Sequence, residues 1–227
     1  MVEFNLVRAE WDGTPGVQQG TVDKPRAQLM KEADGAIGYK QHVEYWFGVS
    51  TFHPTDWQFD SNTDNQTVFW EAHGAGGATG RSPPLPLTLR GKELTIVNRS
   101  GDRKINPDPN NPNSFVNAEL WRGELELGKW TDWVVRMRFS QTGTDGYVQV
   151  WRNGVLIAER MNKPTLYYTG TPNANDMAFQ LLSVYKGRFA SLPSSVEKNT
   201  MYYDNVRIAE GPDGKDLVDP AKNLHDD

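Results

Sequence analysis

Residues 130–160 read WTDWVVRMRFSQTGTDGYVQVWRNGVLIAER, and this stretch decides the fold. Trp133, Val135, Met137 and Phe139 alternate with Asp132, Val134, Arg136 and Arg138. That period of two belongs to a strand with one face on a core. Asp145-Gly146 breaks the pattern, Tyr147–Arg152 resumes it, and Asn153-Gly154 is a two-residue hairpin turn returning through Val155–Glu159.

The same grammar runs outward from this stretch. Val43–Phe52 and Thr67–His73 read as strands. Leu85–Leu89 and Glu93–Asn98 flank a turn at Gly91, and Phe179–Tyr185 and Met201–Ala209 supply two late strands. No segment of useful length shows a 3.6-residue period; only Ala190–Lys198 has room for about one helical turn. Long polar segments at Trp57–Gln66, Gly74–Pro84 and Gly101–Ser114 suit the rims of a cleft or mobile lids. Many short strands with regular turns predict an all-β, concanavalin-like jelly-roll sandwich of two antiparallel sheets with a concave groove. Residues 1–227 form one domain, and the charged segment from about 212 to 227 reads as a frayed tail.

Composition narrows the function classes. The chain has 227 residues, enough for a sizeable core, with 37% hydrophobic residues and no cysteine. A net charge of −5 argues against a nucleic-acid partner, which calls for a basic stripe. No apolar run is long enough to span a bilayer, so no membrane partner is expected and the chain reads as a monomer. Residues 1–10 lack the apolar core of a signal peptide. The Gly-rich 74–80 segment fits no phosphate-loop pattern. There is no GxSxG elbow and no His/Cys cluster with zinc spacing.

Pleat alternation groups the chemistry-bearing residues. Arg26, Gln28 and Met30 share a face. In Thr67–His73, alternation joins Phe69, Glu71 and His73 against Val68, Trp70 and Ala72. Phe179, Leu181, Ser183 and Tyr185 share a third face. Three strands thus offer an arginine, a histidine and a tyrosine. Arg26-Ala27-Gln28-Leu29, Glu71-Ala72-His73 and Phe179–Tyr185 resemble, in order and spacing, the R-x-E-L, Q-x-H and Y-F-K-x-G-x-Y strands of jelly-roll polysaccharide lyases. These are the heparin-lyase-like and glucuronan-lyase-like families and, more distantly, the alginate lyases. Tyr45-Trp46-Phe47-Gly48, Gly128-Lys129-Trp130, the Gly146–Gly154 hairpin and Tyr203-Asp204-Asn205-Val206 extend the resemblance over nearly the whole chain.

The resemblance implies cleavage of a uronic-acid polymer by β-elimination, and an extracellular enzyme. It assigns Arg26, His73 and Tyr185 as catalytic. Arg26 would neutralise the substrate carboxylate, and His73 and Tyr185 would carry the proton transfers. A tyrosine starts near pKa 10, so its use as a base calls for a cation nearby. Gln28 and Glu71 would bind substrate. Four positions depart from the pattern: Gln28 replaces an acid, Glu71 a glutamine, Leu181 a lysine and Ser183 a glycine.

Trp151 shares a face with Tyr147 and Gln149, and these three are further substrate-binding candidates. Trp151 reads either as a platform for the apolar face of a sugar or as an outer-surface aromatic, and Trp133 as core packing. His42 and His53 read as turn or surface residues, and His225 as part of the tail. No metal or cofactor is required; Asp108 and the asparagines around it are calcium-type ligands without EF-hand spacing. Two other readings stay open. One is a non-catalytic carbohydrate-binding or virion-associated module on the same fold. The other is a glycoside hydrolase pairing Glu71 with Glu44 or Glu119.

Overall fold

The computed structural model describes residues 1–7, 26–30, 38–74, 82–101, 114–142, 144–168, 178–186 and 194–222; for Arg26, Gln28, Met30 and residues 178–181 it describes the backbone. The strands are β1 (Val2–Val7), β2 (Arg26–Met30), β3 (Glu44–Phe52), β4 (Thr67–Gly74), β5 (Leu85–Arg90), β6 (Glu93–Ser100), β7 (Val116–Glu124), β8 (Trp130–Arg138), β9 (Tyr147–Arg152), β10 (Val155–Met161), β11 (Ala178–Lys186) and β12 (Lys198–Glu210). They form two six-stranded sheets, ordered β1-β12-β3-β8-β9-β10 and β2-β11-β4-β5-β6-β7. All the strand pairs are antiparallel.

The core between the sheets follows the alternation. Trp133, Val135 and Met137 of β8 and Val148 and Val150 of β9 are buried in it, facing Leu85, Leu87 and Leu89 of β5 and Leu94 and Ile96 of β6. The β9–β10 hairpin turns at Asn153 (φ 49°) and Gly154 (φ 79°), the left-handed pair that a type I′ turn requires. Asn153 Oδ1 also accepts the Asp132 amide at 2.8 Å, tying the turn to β8.

Two expectations are overturned. The segment after Gly211 is not frayed as far as Lys222. It forms a short helix, α1 (Gly214–Val218), and a 3-10 turn at Pro220–Lys222. Val218 is fully buried against Trp46 and Val134, on the outward face of the first sheet. The approach is close enough that a Cβ on Gly48 would lie 1.8 Å from the Val218 carbonyl oxygen, and one on Gly214 would lie 2.2 Å from Trp46 Cδ1. The apolar face of a short helix thus covers part of a sheet that reads as solvent-facing.

His53 is the second. It is not a surface residue; it is 1% exposed. Its ring packs edge-on against Trp57 (4.8 Å between centroids) and Phe69 (5.3 Å). Burial among these rings pushes its pKa down to about 3. His42 does sit in a turn, at φ 64°, and its Nδ1 lies 2.6 Å from Asp145. Among the described residues, no helix is long and apolar enough to cross a membrane.

Neutral His53 carries a pH signature. Its folded pKa lies below the ordinary value of about 6.5, so protonation favours the unfolded chain. Its contribution to stability is complete above pH 6.5 and is lost as pH falls toward 3. Urea denaturation across that window should show the loss, and His53→Gln should flatten it by up to one proton's worth of slope. An identical slope in both proteins would remove His53 from the account.

Candidate active site

The site is built from β11 and its two neighbours, β2 and β4. Register sets which residues meet. Tyr185 lies directly across from Arg26 on β2 and from Val68 on β4. Ser183 pairs with Gln28, Leu181 with Met30 and with Glu71, and Phe179 with His73. Directly opposed residues share a face. The structure therefore brings Glu71, His73 and Tyr185 onto the outward face of the second sheet, and register sets the Arg26 and Gln28 positions across from Tyr185 and Ser183. His73 and Tyr185 are half-buried, and Glu71 is 4% exposed.

They do not converge on a single row. His73 lies five residues along β4 from Val68, the partner of Tyr185. At the ordinary rise of a strand that is about 16 Å. Arg26 and Tyr185 occupy one end of the face and Glu71 and His73 continue it toward the other, so the site is a track rather than a point.

Regular alternation alone does not produce this face. Between the same two rungs, β5 takes one step (Leu87 to Thr88), β4 takes two (Trp70 to Val68) and β11 takes three (Leu182 to Tyr185). These are β-bulges stacked across three adjacent strands. An odd number of steps carries a strand from its inward to its outward face, and an even number does not. The alternation of β4 therefore breaks at Phe69 and Trp70, which both point into the core. Phe69 packs on His53 and Trp133, and Trp70 on Phe47. This corrects the grouping of Phe69 with Glu71 and His73: Val68, Glu71 and His73 take the outward side.

Tyr147, Gln149 and Trp151 do not join the site. They lie on β9, facing outward from the first sheet, on the opposite side of the sandwich. The Tyr147 hydroxyl donates to Glu44, and Gln149 Oε1 accepts from Arg136 at 3.0 Å. Trp151 stacks on Trp46 at 5.7 Å, with the Lys215 ammonium 4.6 Å from its ring centre. Burial, then the bond to Glu44, pushes the Tyr147 pKa up to about 12. Burial alone would raise Glu44, but hydrogen bonds from Arg136, Tyr147 and Trp46 hold it below the usual carboxylate range. The period of two states which residues share a face, not which sheet owns it.

The same placement removes the two-carboxylate arrangement. Glu44 is on the other sheet. Glu119 is on β7, three strands from β4, or about 14 Å at ordinary strand spacing, whereas an acid–base pair flanking one glycosidic bond is about 5–9.5 Å apart. The Arg122 guanidinium also grips Glu119 through two bonds of 2.9 and 2.6 Å.

Sequence reading missed Lys186. It follows Tyr185, so it points inward, and it is 1% exposed. Its ammonium lies 3.7 Å from Asp60, which also accepts from the Ser194 hydroxyl at 2.5 Å. Burial lowers the Lys186 pKa to about 8, against the pull of Asp60. The signal was present: a lysine at a core-facing position demands a buried acid. Asp60 belongs to the 57–66 segment expected as a rim or lid. That segment instead packs down, with Trp57, Asp60 and Asn65 all buried. Asp108 and most of the other two loops lie outside the described residues, as does His225. No cluster of three or more potential metal ligands occurs among the described residues.

A family model described as polysaccharide lyase matches residues 8–207. No curated protein matches in sequence. Among solved structures, the endo-β-1,4-glucuronan lyase of the fungus Trichoderma reesei is similar, with a TM-score of 0.68 at 16% identity, over 96% of this chain and 83% of that one. Alginate lyase A1-II′, of polysaccharide lyase family 7, gives a TM-score of 0.55 at 13% identity over 92% of this chain and 78% of that one. A variant of that lyase, with one histidine changed to asparagine and one tyrosine to phenylalanine, holds a substrate and gives a TM-score of 0.54 at 14% identity, over 92% and 77%.

Removing one partner of a buried ion pair strands the other. Lys186→Met should cost about 3–5 kcal/mol of stability in denaturant unfolding, and adding Asp60→Asn should recover part of it. A single variant as stable as the parent would show the pair to be dispensable.

Proposed function

The chain belongs to the polysaccharide lyase family, and on that premise we propose that it cleaves a uronic-acid polymer laid along the outward face of the β2/β11/β4 strands. The observation that carries this reading is the placement of Arg26, Tyr185, Glu71 and His73 on that one face by strand register.

β-Elimination breaks the C5–H bond, uses its electron pair to form a C4–C5 double bond, and expels O4, which takes up a proton. The C5 proton is removable only when the adjacent carboxylate is neutralised, and a guanidinium does this with two parallel hydrogen bonds. Arg26 holds the register position for that role, directly opposite Tyr185. Tyr185 and His73 are the groups for proton transfer. The alginate lyase variant that retains substrate, altered at a histidine and a tyrosine, supports giving the chemistry to those two residue types. Glu71 sets a polarity on the face. A carboxylate there disfavours a uronate carboxylate beside it, so the reacting carboxylate belongs at the Arg26 end, with Glu71 toward sugar hydroxyls. A polymer substrate meets its enzyme outside the cell, and we place this one there.

The product of elimination carries a conjugated double bond that absorbs in the ultraviolet; a hydrolysis product does not. Incubation with glucuronan, polymannuronate and polyguluronate should raise that absorbance for at least one polymer. Tyr185→Phe and His73→Ala should each lower kcat on the order of a hundredfold or more, and Arg26→Ala should lower kcat/KM. Retained polymer binding without any ultraviolet product would instead assign the chain as a non-catalytic binding module.

A further inference from the structure

A β-bulge disrupts the strand ladder locally, and a buried carbonyl without a partner is costly. Two side-chain hydroxyls bond to backbone carbonyls at the β4–β11 bulge. Tyr203 stands on β12, in the other sheet, and its side chain crosses the core; it is 1% exposed and meets Phe4 edge-on at 4.9 Å. Its hydroxyl hydrogen is shared between the carbonyl oxygens of Phe69 on β4 and Ser183 on β11, 2.9 Å from the latter. Phe69 is the residue at which the alternation of β4 breaks, and Ser183 lies within the extra step of β11. The Ser183 hydroxyl in turn donates to the Val68 carbonyl at 3.1 Å, and Ser183 is fully buried. Three carbonyls at the bulges are thus held by two hydroxyls. Burial keeps the Tyr203 hydroxyl well above its ordinary pKa, so it remains a donor.

These bonds sit between the two halves of the active face. Tyr185 lies on one side of the bulge and Glu71 and His73 on the other. A one-residue slip in a strand turns its side chains to the opposite face, so whatever holds the bulge decides whether the two halves share a surface. We propose that Tyr203 and Ser183 are positioning residues for the lyase reaction: their hydroxyls lock the β4–β11 bulge and so fix where Tyr185 stands relative to Glu71 and His73. This rests on the lyase reading above, and it adds two residues that touch no substrate.

The test uses Tyr203→Phe and Ser183→Ala in the full chain, each losing one hydroxyl and little volume. Two readouts apply. In steady-state elimination assays, kcat should fall between about tenfold and a hundredfold, the scale of a displacement near 1 Å in reacting groups, while KM changes by less than about threefold. In hydrogen exchange, amides of residues 68–71 and 182–185 should exchange faster in both variants, with the β8–β9 amides unchanged. A purely structural role would lower the melting temperature and leave kcat intact, and that outcome overturns the proposal. Exchange at the bulge that matches the parent overturns it as well, whether or not the parent makes product. A parent with no ultraviolet product counts against the lyase reading alone.

Discussion

The parity of a β-strand governs everything on the active face. Side chains alternate with a period of two, so a residue's face is fixed by counting from any residue known to be in the core. A regular ladder keeps the count identical on neighbouring strands. Here it differs on three in succession: one step on β5, two on β4, three on β11. The strands run past each other with a progressively longer path, and bulges of this kind bend a strand and increase its twist. The outward face of the second sheet is shaped at the point where the chemistry-bearing residues stand.

The two outward faces of the sandwich meet water in different ways. On the first sheet, Glu44, Arg136, Tyr147 and Gln149 bind one another, and α1 lies over Trp46, Val134 and Trp151. The Arg136 guanidinium also lies 4.6 Å from the centre of the Tyr147 ring and 5.2 Å from that of Trp46. The two terminal nitrogens of that guanidinium are taken up by Gln149 and Glu44. On the second sheet, Glu71 and His73 of β4 and Tyr185 of β11 share the outward face. Two sheets alike in size and strand order thus present different outward faces.

Most of the scaffold was legible in the sequence, because burial patterns of period two and Asn-Gly turns are local signals. The 130–160 stretch states its own hairpin and its own core face. What escaped reading depends on contacts between distant segments. Phe69-Trp70 is an adjacent aromatic pair inside an alternating run, a visible hint that the phase breaks there, but only the pairing with β5 and β11 shows which residue is doubled. Gly48 and Gly214 make room for a helix docked 166 residues later in the chain than the first of them, and nothing local announces that. The burial of His53 is not legible locally, because an isolated histidine after a strand has no periodic signal. Strand spacing groups Arg26 with Gln28 and Glu71 with His73, each within its own strand, and the family resemblance joins them with Tyr185; Tyr147, Gln149 and Trp151 come in by a pattern that cannot tell one sheet from the other.

Parity also explains one departure from the family pattern and sharpens another. Ser183, where the pattern has glycine, supplies the hydroxyl that donates to the Val68 carbonyl at the bulge; glycine has none to give. Leu181 stands where the family pattern has lysine, and Lys186 does not replace that charge. The Lys186 ammonium is engaged with Asp60 in the core. The register position opposite Tyr185 is that of Arg26. It stands on β2, the edge of the sheet, which pairs with β11 through Leu181–Tyr185. In the proposed reaction, carboxylate neutralisation thus rests on an edge strand whose register is set by the same strand that carries Tyr185, so whatever displaces β11 at its bulge displaces both positions together relative to His73.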